Sequence, residues 1–251
     1  MQAKCVTVRD ALLDAVLDAV LVAVLDALAV LMPVSCASCQ HPDRSLCAAC
    51  TGALQTGEPL LHRLRPMAGP SIEVVSALRY EETVRRIILA FKQNDRTDVA
   101  RALAVPLAVA VRAVVAAAGD RVELAPVPSS RAAYRRRGYD PVRVLLRRAG
   151  FAPGRVLTVV ANRSQQKKLG THERFENVTG SIAAIKTLAG RRFVIVDDVV
   201  TTGATISEAA RAITAAGGVV VGAATLAFTP RLLPIRDIPR PEDYRGAKGA
   251  Q

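Results

Sequence analysis

The hydrophobic and polar positions of this chain alternate in blocks that predict strands, helices and short polar turns. Short β-branched runs are typical of buried strands, and apolar residues three and four positions apart are typical of helices. The predicted strands cover Val74–Tyr80, residues 122–127, Val156–Val160, Phe193–Val196 and Val219–Phe228. The predicted helices cover Glu81–Phe91, Asp98–Ala117 and Ile206–Ala216. This order predicts an α/β fold with buried parallel strands.

A long apolar segment with regularly spaced acids lies near the N-terminus. It runs over Asp10–Met32, and we predict one helix with an acidic stripe that Pro33 ends. Its length would cross a bilayer, but Asp14, Asp18 and Asp26 would each cost about 2.5–3.5 kcal/mol near the bilayer centre. We therefore predict no membrane span. Instead, we assign residues 1–35 to an N-terminal helical region and expect its helix to pack on the body of the protein or on a second copy, as in a homodimer.

Four of the five cysteines form two closely spaced pairs. Cys36 and Cys39 make one CxxC pair, and Cys47 and Cys50 make the second. Two such pairs suit tetrahedral Zn²⁺, since each tight turn supplies two thiolates. Four protein ligands leave no open position, so we predict a structural zinc site. His41 is a possible substitute ligand, but we interpret it as a surface residue.

Turn-forming residues separate the remaining parts of the chain. Residues Thr51–Pro70 are punctuated by Gly and Pro and predict a linker, so that residues 36–70 form a small zinc module with its linker. We assign residues 71–229 to the main domain. Residues 230–251 are rich in Pro, Arg and Gly and predict a flexible tail.

Composition and charge narrow the class of partner. The chain has 251 residues and is 51% hydrophobic but only 4% aromatic, so its core must use Ala, Val, Leu and Ile. The net charge is +12, and most of the 34 basic residues are Arg, which binds phosphate through two parallel hydrogen bonds. This predicts nucleotides or nucleic acid as partners without separating the two. The paired cysteines and the lack of an evident secretory signal predict a cytoplasmic protein.

The stretch Phe193–Thr205 carries the most specific chemistry. An apolar strand runs into Asp197 and Asp198, a Thr/Gly loop follows, and a helix then begins. Ligands bind at the carboxyl ends of strands in open α/β sheets. The two carboxylates can accept hydrogen bonds from a vicinal diol, and the loop amides at a helix N-terminus suit a phosphate. Gly203 would let the backbone approach that phosphate closely. Together these features predict a ribose 5-phosphate site.

This stretch resembles the phosphoribosyl-pyrophosphate (PRPP) signature of type I phosphoribosyltransferases. The resemblance implies a parallel sheet flanked by helices, with Asp197 and Asp198 as catalytic residues that hold the ribose hydroxyls. It also implies a 5-phosphate loop, whose residues are Thr201, Thr202, Gly203, Ala204 and Thr205. Mg²⁺ would accompany PRPP.

A second segment, between Arg131 and Arg148, contains seven Arg and one acid. It directly follows a predicted strand. By resemblance to the same superfamily we interpret Ser129, Ser130 and Arg131 as a pyrophosphate site. The rival interpretation is a nucleic-acid surface with Tyr134 and Tyr139 as stacking groups.

A polar segment after Val160 lacks clear periodicity and resembles the flexible loop that closes over PRPP in this superfamily. Its candidate residues are Gln166, Arg174 and Asn177, and we interpret His172 as exposed.

The order of these pieces is similar to the ComF/GntX family, which is associated with competence and DNA uptake in some bacteria. The CxxC module, Tyr80, Lys92 and the Arg137–Tyr139 turn carry the likeness, together with the Gln166–Asn177 cluster. One departure is Asp140, an acid where the family has a neutral amide. Two functions follow as hypotheses: PRPP-dependent glycosyl transfer to an unknown acceptor, or a non-catalytic module that binds single-stranded DNA.

Overall fold

The computed structural model describes residues 34–42, 44–55, 57–66, 69–93, 96–119, 121–160 and 180–229. Within these residues a five-stranded sheet and a two-stranded hairpin are flanked by helices on both faces. The strands are β1 (Leu60–Leu64), β2 (Ile72–Arg79), β3 (Val122–Pro126), β4 (Leu157–Val159), β5 (Ile182–Ala184), β6 (Arg192–Val200) and β7 (Val219–Phe228). The helices are α1 (Ala48–Gly52), α2 (Glu82–Gln93), α3 (Ala100–Ala118), α4 (Arg131–Arg137), α5 (Pro141–Arg148) and α6 (Ala204–Ala215).

The main sheet has the order β1-β2-β7-β6-β3, and its last four strands run parallel. The predicted α/β fold with a mainly parallel sheet is therefore confirmed. Parallel strands place their carboxyl ends at one edge, so the segments that follow β3 and β6 begin side by side. Pro126 lies opposite Val196, one residue before the acid pair.

Each face of the sheet buries its own apolar layer. On β6, Val194 and Val196 pack with α3 and α5, whereas Phe193 and Ile195 pack with α6 and the β4–β5 hairpin. This alternation is what the period of a strand requires when both faces are covered. The Cys module joins the first layer, since Cys36 shares its core with residues of α2 and α3.

The predicted linker is wrong for part of its length. Within Thr51–Pro70, Leu60–Leu64 forms β1, which pairs antiparallel with β2 at the edge of the sheet. Its burial alternates, with His62 and Leu64 inward and Arg63 outward. Five residues between Gly and Pro gave too short a pattern to predict a strand from sequence. The edge position also explains why one polar residue is tolerated on the outer face.

Two polar contacts fix the register and the hairpin. Ser76 and Thr225 are fully buried and hydrogen-bond side chain to side chain at 2.7 Å, between directly opposed residues of β2 and β7. Glu208 is buried on α6, and its Oε1 accepts the N–H of Ile182 at 3.1 Å. Arg211 donates to Glu208 at 2.7 Å and to the Ile182 carbonyl at 3.0 Å, which ties the hairpin to α6.

One described helical segment, Thr97–Ala118, is long and apolar enough by composition to cross a bilayer. More than half of it is buried against the sheet and α5, which is typical of a helix in a protein core. The predicted N-terminal helix over Asp10–Met32 and the predicted tail over 230–251 lie outside the described residues.

Candidate functional site

Two adjacent acids stand at the carboxyl end of β6, as the sequence predicts. The strand is longer than predicted, because its ladder with β7 continues past the acids to Val200. Both carboxylates are only partly buried. Oδ1 of Asp197 accepts a hydrogen bond from the backbone N–H of Asp198 at 2.8 Å. The sheet therefore holds the two acids in fixed positions at the edge where the loops meet.

A lysine contacts the acid pair. Nζ of Lys92, in the last turn of α2, lies 2.8 Å from Oδ2 of Asp198. The side chain of Lys92 is 26% exposed and that of Asp198 is 15% exposed, so the ion pair is largely screened from water. Sequence reasoning named Lys92 but gave it no role. The sequence feature that could have revealed this role is the position of Lys92 four residues after buried Ile88, which puts a cation on the face of α2 that packs inward.

Burial and charge act against each other in this cluster. Burial and the neighbouring Asp198 carboxylate raise the pKa of Asp197 above its ordinary value, and the Lys92 ammonium opposes that rise. Burial alone would lower the pKa of Lys92, but the Asp198 carboxylate outweighs it and raises that pKa. Lys92 therefore stays charged at neutral pH and partly neutralises the acid pair.

The loop after β6 leads into the N-terminus of α6. Gly203 is the N-cap residue, and its carbonyl accepts both the N–H and the hydroxyl of Ser207. Thr202 Oγ1 accepts weakly from the N–H of Ala204 at 3.4 Å. Within the described part of the chain, the amides of Thr201, Thr202 and Gly203 donate to no backbone carbonyl. These amides and the N-terminus of α6 together place partial positive charge at the loop, which suits an anion.

Gly203 is required for a reason that the sequence did not reveal. Its φ is +77°, which disfavours residues with a Cβ. A Cβ at this position would lie 2.2 Å from Cδ1 of buried Leu64 on β1. Leu64 of the edge strand β1 therefore packs directly against the Thr201–Thr205 loop.

The predicted pyrophosphate residues lie on the segment after β3, beside the acid pair. Ser130 is the N-cap of α4, and its side chain accepts the N–H of Ala133 at 3.2 Å. Ser129 Oγ accepts from Arg137 at 3.2 Å. Ser130 and Arg131 are exposed, and Ser129 is partly buried. The three residues thus share one edge of the sheet with Asp197.

Asp140 has a structural task in this segment. One carboxylate oxygen accepts the N–H of Arg143 at 3.2 Å, which caps α5, and the other accepts the N–H of Ser129 at 3.1 Å. The acid therefore ties α5 to the loop after β3. It also adds negative charge near Asp197, whose pKa it contributes to raising.

The two tyrosines of the basic segment differ in availability. Tyr134 is 51% exposed. Tyr139 packs its ring on Phe91 with 5.4 Å between centroids, and its hydroxyl donates to the Phe91 carbonyl. Only Tyr134 of the predicted stacking pair therefore presents a free ring among the described residues.

The four predicted zinc ligands converge. The sulfurs of Cys36, Cys39, Cys47 and Cys50 all lie within 4.8 Å of one another, and the Cys39 and Cys47 sulfurs are 3.6 Å apart. A tetrahedral Zn²⁺ with bonds of about 2.3 Å requires sulfurs about 3.8 Å apart, so the set fits the ion. His41 is exposed, with Nδ1 at 3.0 Å from the Pro42 carbonyl, which agrees with a surface residue. The cluster could therefore hold a metal such as zinc.

The predicted flexible-loop residues fall outside the described part of the chain. Gln166, Arg174 and Asn177, together with His172, lie within residues 161–179. The nearest described strands before and after that segment are β4 and β5, which pair antiparallel.

A model of a known protein family matches part of the chain. Residues 133–237 match the family described as Phosphoribosyl transferase domain. A search of curated proteins found no match. The matched segment contains β6, the acid pair, the Thr201–Thr205 loop and α6. The match supports the type I phosphoribosyltransferase superfamily for this part of the chain.

Proposed function

We propose that this protein is a phosphoribosyltransferase that binds PRPP with Mg²⁺ and transfers its phosphoribosyl group to an acceptor. One observation carries the proposal. The paired acids of β6 and the unpaired amides of the following loop lie at one strand end, at the N-terminus of α6. Carboxylates suit the ribose hydroxyls, and the amides suit the 5-phosphate one helix turn away.

The residues would share the work of binding and charge stabilisation. Asp197 and Asp198 accept hydrogen bonds from the ribose hydroxyls, and Thr201–Thr205 binds the 5-phosphate. Ser129, Ser130 and Arg131 face the pyrophosphate. The bond from C1 to the pyrophosphate oxygen breaks, the oxygen keeps the electron pair, and a nucleophilic atom of the acceptor bonds to C1. Catalysis then comes from positioning and from stabilising the leaving charge.

Lys92 makes the acid pair compatible with a polyanion. Ionised carboxylate beside a pyrophosphate would repel it, but the ammonium at 2.8 Å from Asp198 reduces the net charge of the acid pair. When bound, Mg²⁺ supplies further positive charge to the diol and pyrophosphate oxygens. Partly exposed carboxylate oxygens are of the hard donor type that this ion prefers.

ComF family membership is part of the proposal. The converging cysteines, Lys92 at the acid pair and the Ser129–Arg131 segment support it. We also propose that residues 71–229 form the phosphoribosyltransferase domain in a cytoplasmic protein. The alternative, an accessory module for DNA uptake, rests on the net charge of +12 and the Arg131–Arg148 run. Of the two tyrosines that would stack on bases there, Tyr139 is already packed on Phe91.

The proposal is tested by titrating PRPP and Mg²⁺ into the protein in a calorimeter. Wild-type protein should bind, and the double variant Asp197→Asn, Asp198→Asn should lose at least about tenfold in affinity, because each charge-assisted hydrogen bond contributes about 1.5–3 kcal/mol. The matched control is Glu81→Gln, Glu82→Gln, which removes two adjacent exposed acids at the start of α2. It should bind as wild type does.

Turnover is measured separately as pyrophosphate release from PRPP with bases, amines or water as acceptors. Release that depends on one acceptor class, and that the Asp197→Asn, Asp198→Asn variant lacks, identifies the reaction. Absence of PRPP binding by wild-type protein, or equal binding by the double variant, would refute the proposal.

A further inference from the structure

A large basic cavity lies beside the predicted pyrophosphate segment. We call it the arginine cleft, and it is formed by α4, α5, residues 154–155 and the β4–β5 hairpin, with a volume of about 1080 Å³. Five arginines line it: Arg131, Arg135, Arg143, Arg147 and Arg155. A cavity of this size can take a ligand larger than a single phosphate group.

The positive charge of the cleft is only partly neutralised by its own lining. Asp140 is the acid in its lining, and both of its oxygens are engaged by backbone N–H groups. In the described part of the chain, no carboxylate lies within salt-bridge distance of Arg135, Arg147 or Arg155. A concave wall of unpaired guanidinium groups concentrates positive potential inside the cleft.

Arg143 shows the crowding of these charges. Its guanidinium donates to the carbonyls of Gly154 at 3.0 Å and Pro153 at 3.4 Å, so it holds the loop before β4. Burial and then repulsion from Arg147 lower the pKa of Arg143, the Asp140 carboxylate opposes this, and Arg155 lowers it further. An anion bound in the cleft would relieve this repulsion among the guanidinium groups.

The rest of the lining is apolar and offers a flat ring. Tyr134 lines the cleft and is half exposed, and Val144, Leu157 and Ile185 add apolar surface. A ligand that matches both parts carries several phosphates and a planar heterocycle. Guanidinium groups bind phosphate oxygens through paired hydrogen bonds, and an exposed phenol ring stacks on a base.

We propose that the arginine cleft binds a nucleoside triphosphate, with its phosphates on Arg135, Arg147 and Arg155 and its base on Tyr134. The cleft borders the proposed pyrophosphate site, since Ser129 and Arg131 also line it, but the three guanidinium groups and the ring named here lie outside that site and go beyond the proposed transfer reaction. A single strand of nucleic acid shares the phosphate chemistry, but it stacks successive bases on several rings, and Tyr139 is not free to serve.

The test is calorimetric titration of ATP, inorganic tripolyphosphate and a single-stranded oligonucleotide at fixed salt. The variant Arg135→Gln, Arg147→Gln, Arg155→Gln should bind ATP at least about tenfold more weakly, since each substitution removes a charged donor to phosphate oxygens. The control Arg85→Gln, Arg101→Gln removes arginines of α2 and α3 outside the cleft and should bind ATP as wild type does. Tyr134→Ala should weaken ATP binding and leave tripolyphosphate binding unchanged.

Three results would overturn the proposal. The first is no ATP binding by wild-type protein, or equal binding by the cleft variant. The second is loss of ATP binding in Asp197→Asn, Asp198→Asn, which would place ATP in the acid-pair site. The third is an oligonucleotide that binds more tightly than ATP and loses affinity in the cleft variant, which would make the cleft a nucleic-acid surface. PRPP binding that persists in the cleft variant separates this test from that of the proposed function.

Discussion

Replacing Lys92 by Met should unbalance the acid pair of β6. The substitution keeps the length of the side chain and removes the ammonium 2.8 Å from Asp198. Exposed ion pairs contribute about 0–1 kcal/mol, and breaking a buried pair costs about 3–5 kcal/mol. The Lys92 and Asp198 side chains are 26% and 15% exposed, so we expect a loss of about 2–3 kcal/mol in the free energy of unfolding at neutral pH.

The pH dependence of that loss gives a sharper test. Without Lys92, the pKa of Asp197 in the folded state should rise further above its unfolded value, because burial and Asp198 act unopposed. The folded variant then binds protons more readily than the unfolded chain. Its destabilisation is therefore largest at pH above the folded pKa of the pair and shrinks as the pH falls.

The assay is urea unfolding of wild type and Lys92→Met, followed by circular dichroism, at several pH values between about 6 and 10, because the pKa of Asp197 is raised to about 8 in the wild-type protein. The control is Arg63→Met, which breaks an exposed pair with Glu73 whose side chains are 52% and 48% exposed. That variant should lose less than about 1 kcal/mol. A pH-independent difference for Lys92→Met, or a difference no larger than that of the control, would refute the reasoning.

Three further predictions concern the loop, the hairpin and the Cys module. Gly203→Ala should lower the free energy of unfolding by roughly 2–4 kcal/mol, because the added Cβ combines positive φ with overlap on Leu64. Adding Leu64→Ala removes that overlap, so in a double-mutant cycle the double variant should lose less stability than the sum of the losses of the two single variants. Glu208→Ala should cost about 1–3 kcal/mol by urea unfolding, since the buried N–H of Ile182 loses its acceptor. Removing zinc with a chelator should lower the melting temperature. Cys50→Ser should lower it as well, and the chelator should then have no further effect. An unchanged melting temperature after either change would contradict a structural metal.

The local pattern of the chain was enough to predict most of the fold. The β-branched runs and the amphipathic helices gave the bounds of β7 and α6 within two residues, because strand and helix periodicities are local properties. The pair Asp197–Asp198 and the Thr201–Thr205 loop were predictable for the same reason. Their spacing alone sets two carboxylates and a row of amides at a strand end.

Only the tertiary structure decided which distant residues complete the site. Lys92 comes from a helix about a hundred positions before Asp198, and Leu64 comes from an edge strand in a stretch of turn-forming residues. Asp140 gained its capping role because α5 packs beside the loop after β3. Such contacts depend on the parallel sheet, which brings the ends of β3 and β6 together. The periodicity of a sequence predicts local elements and does not predict which residues of different elements meet at that edge.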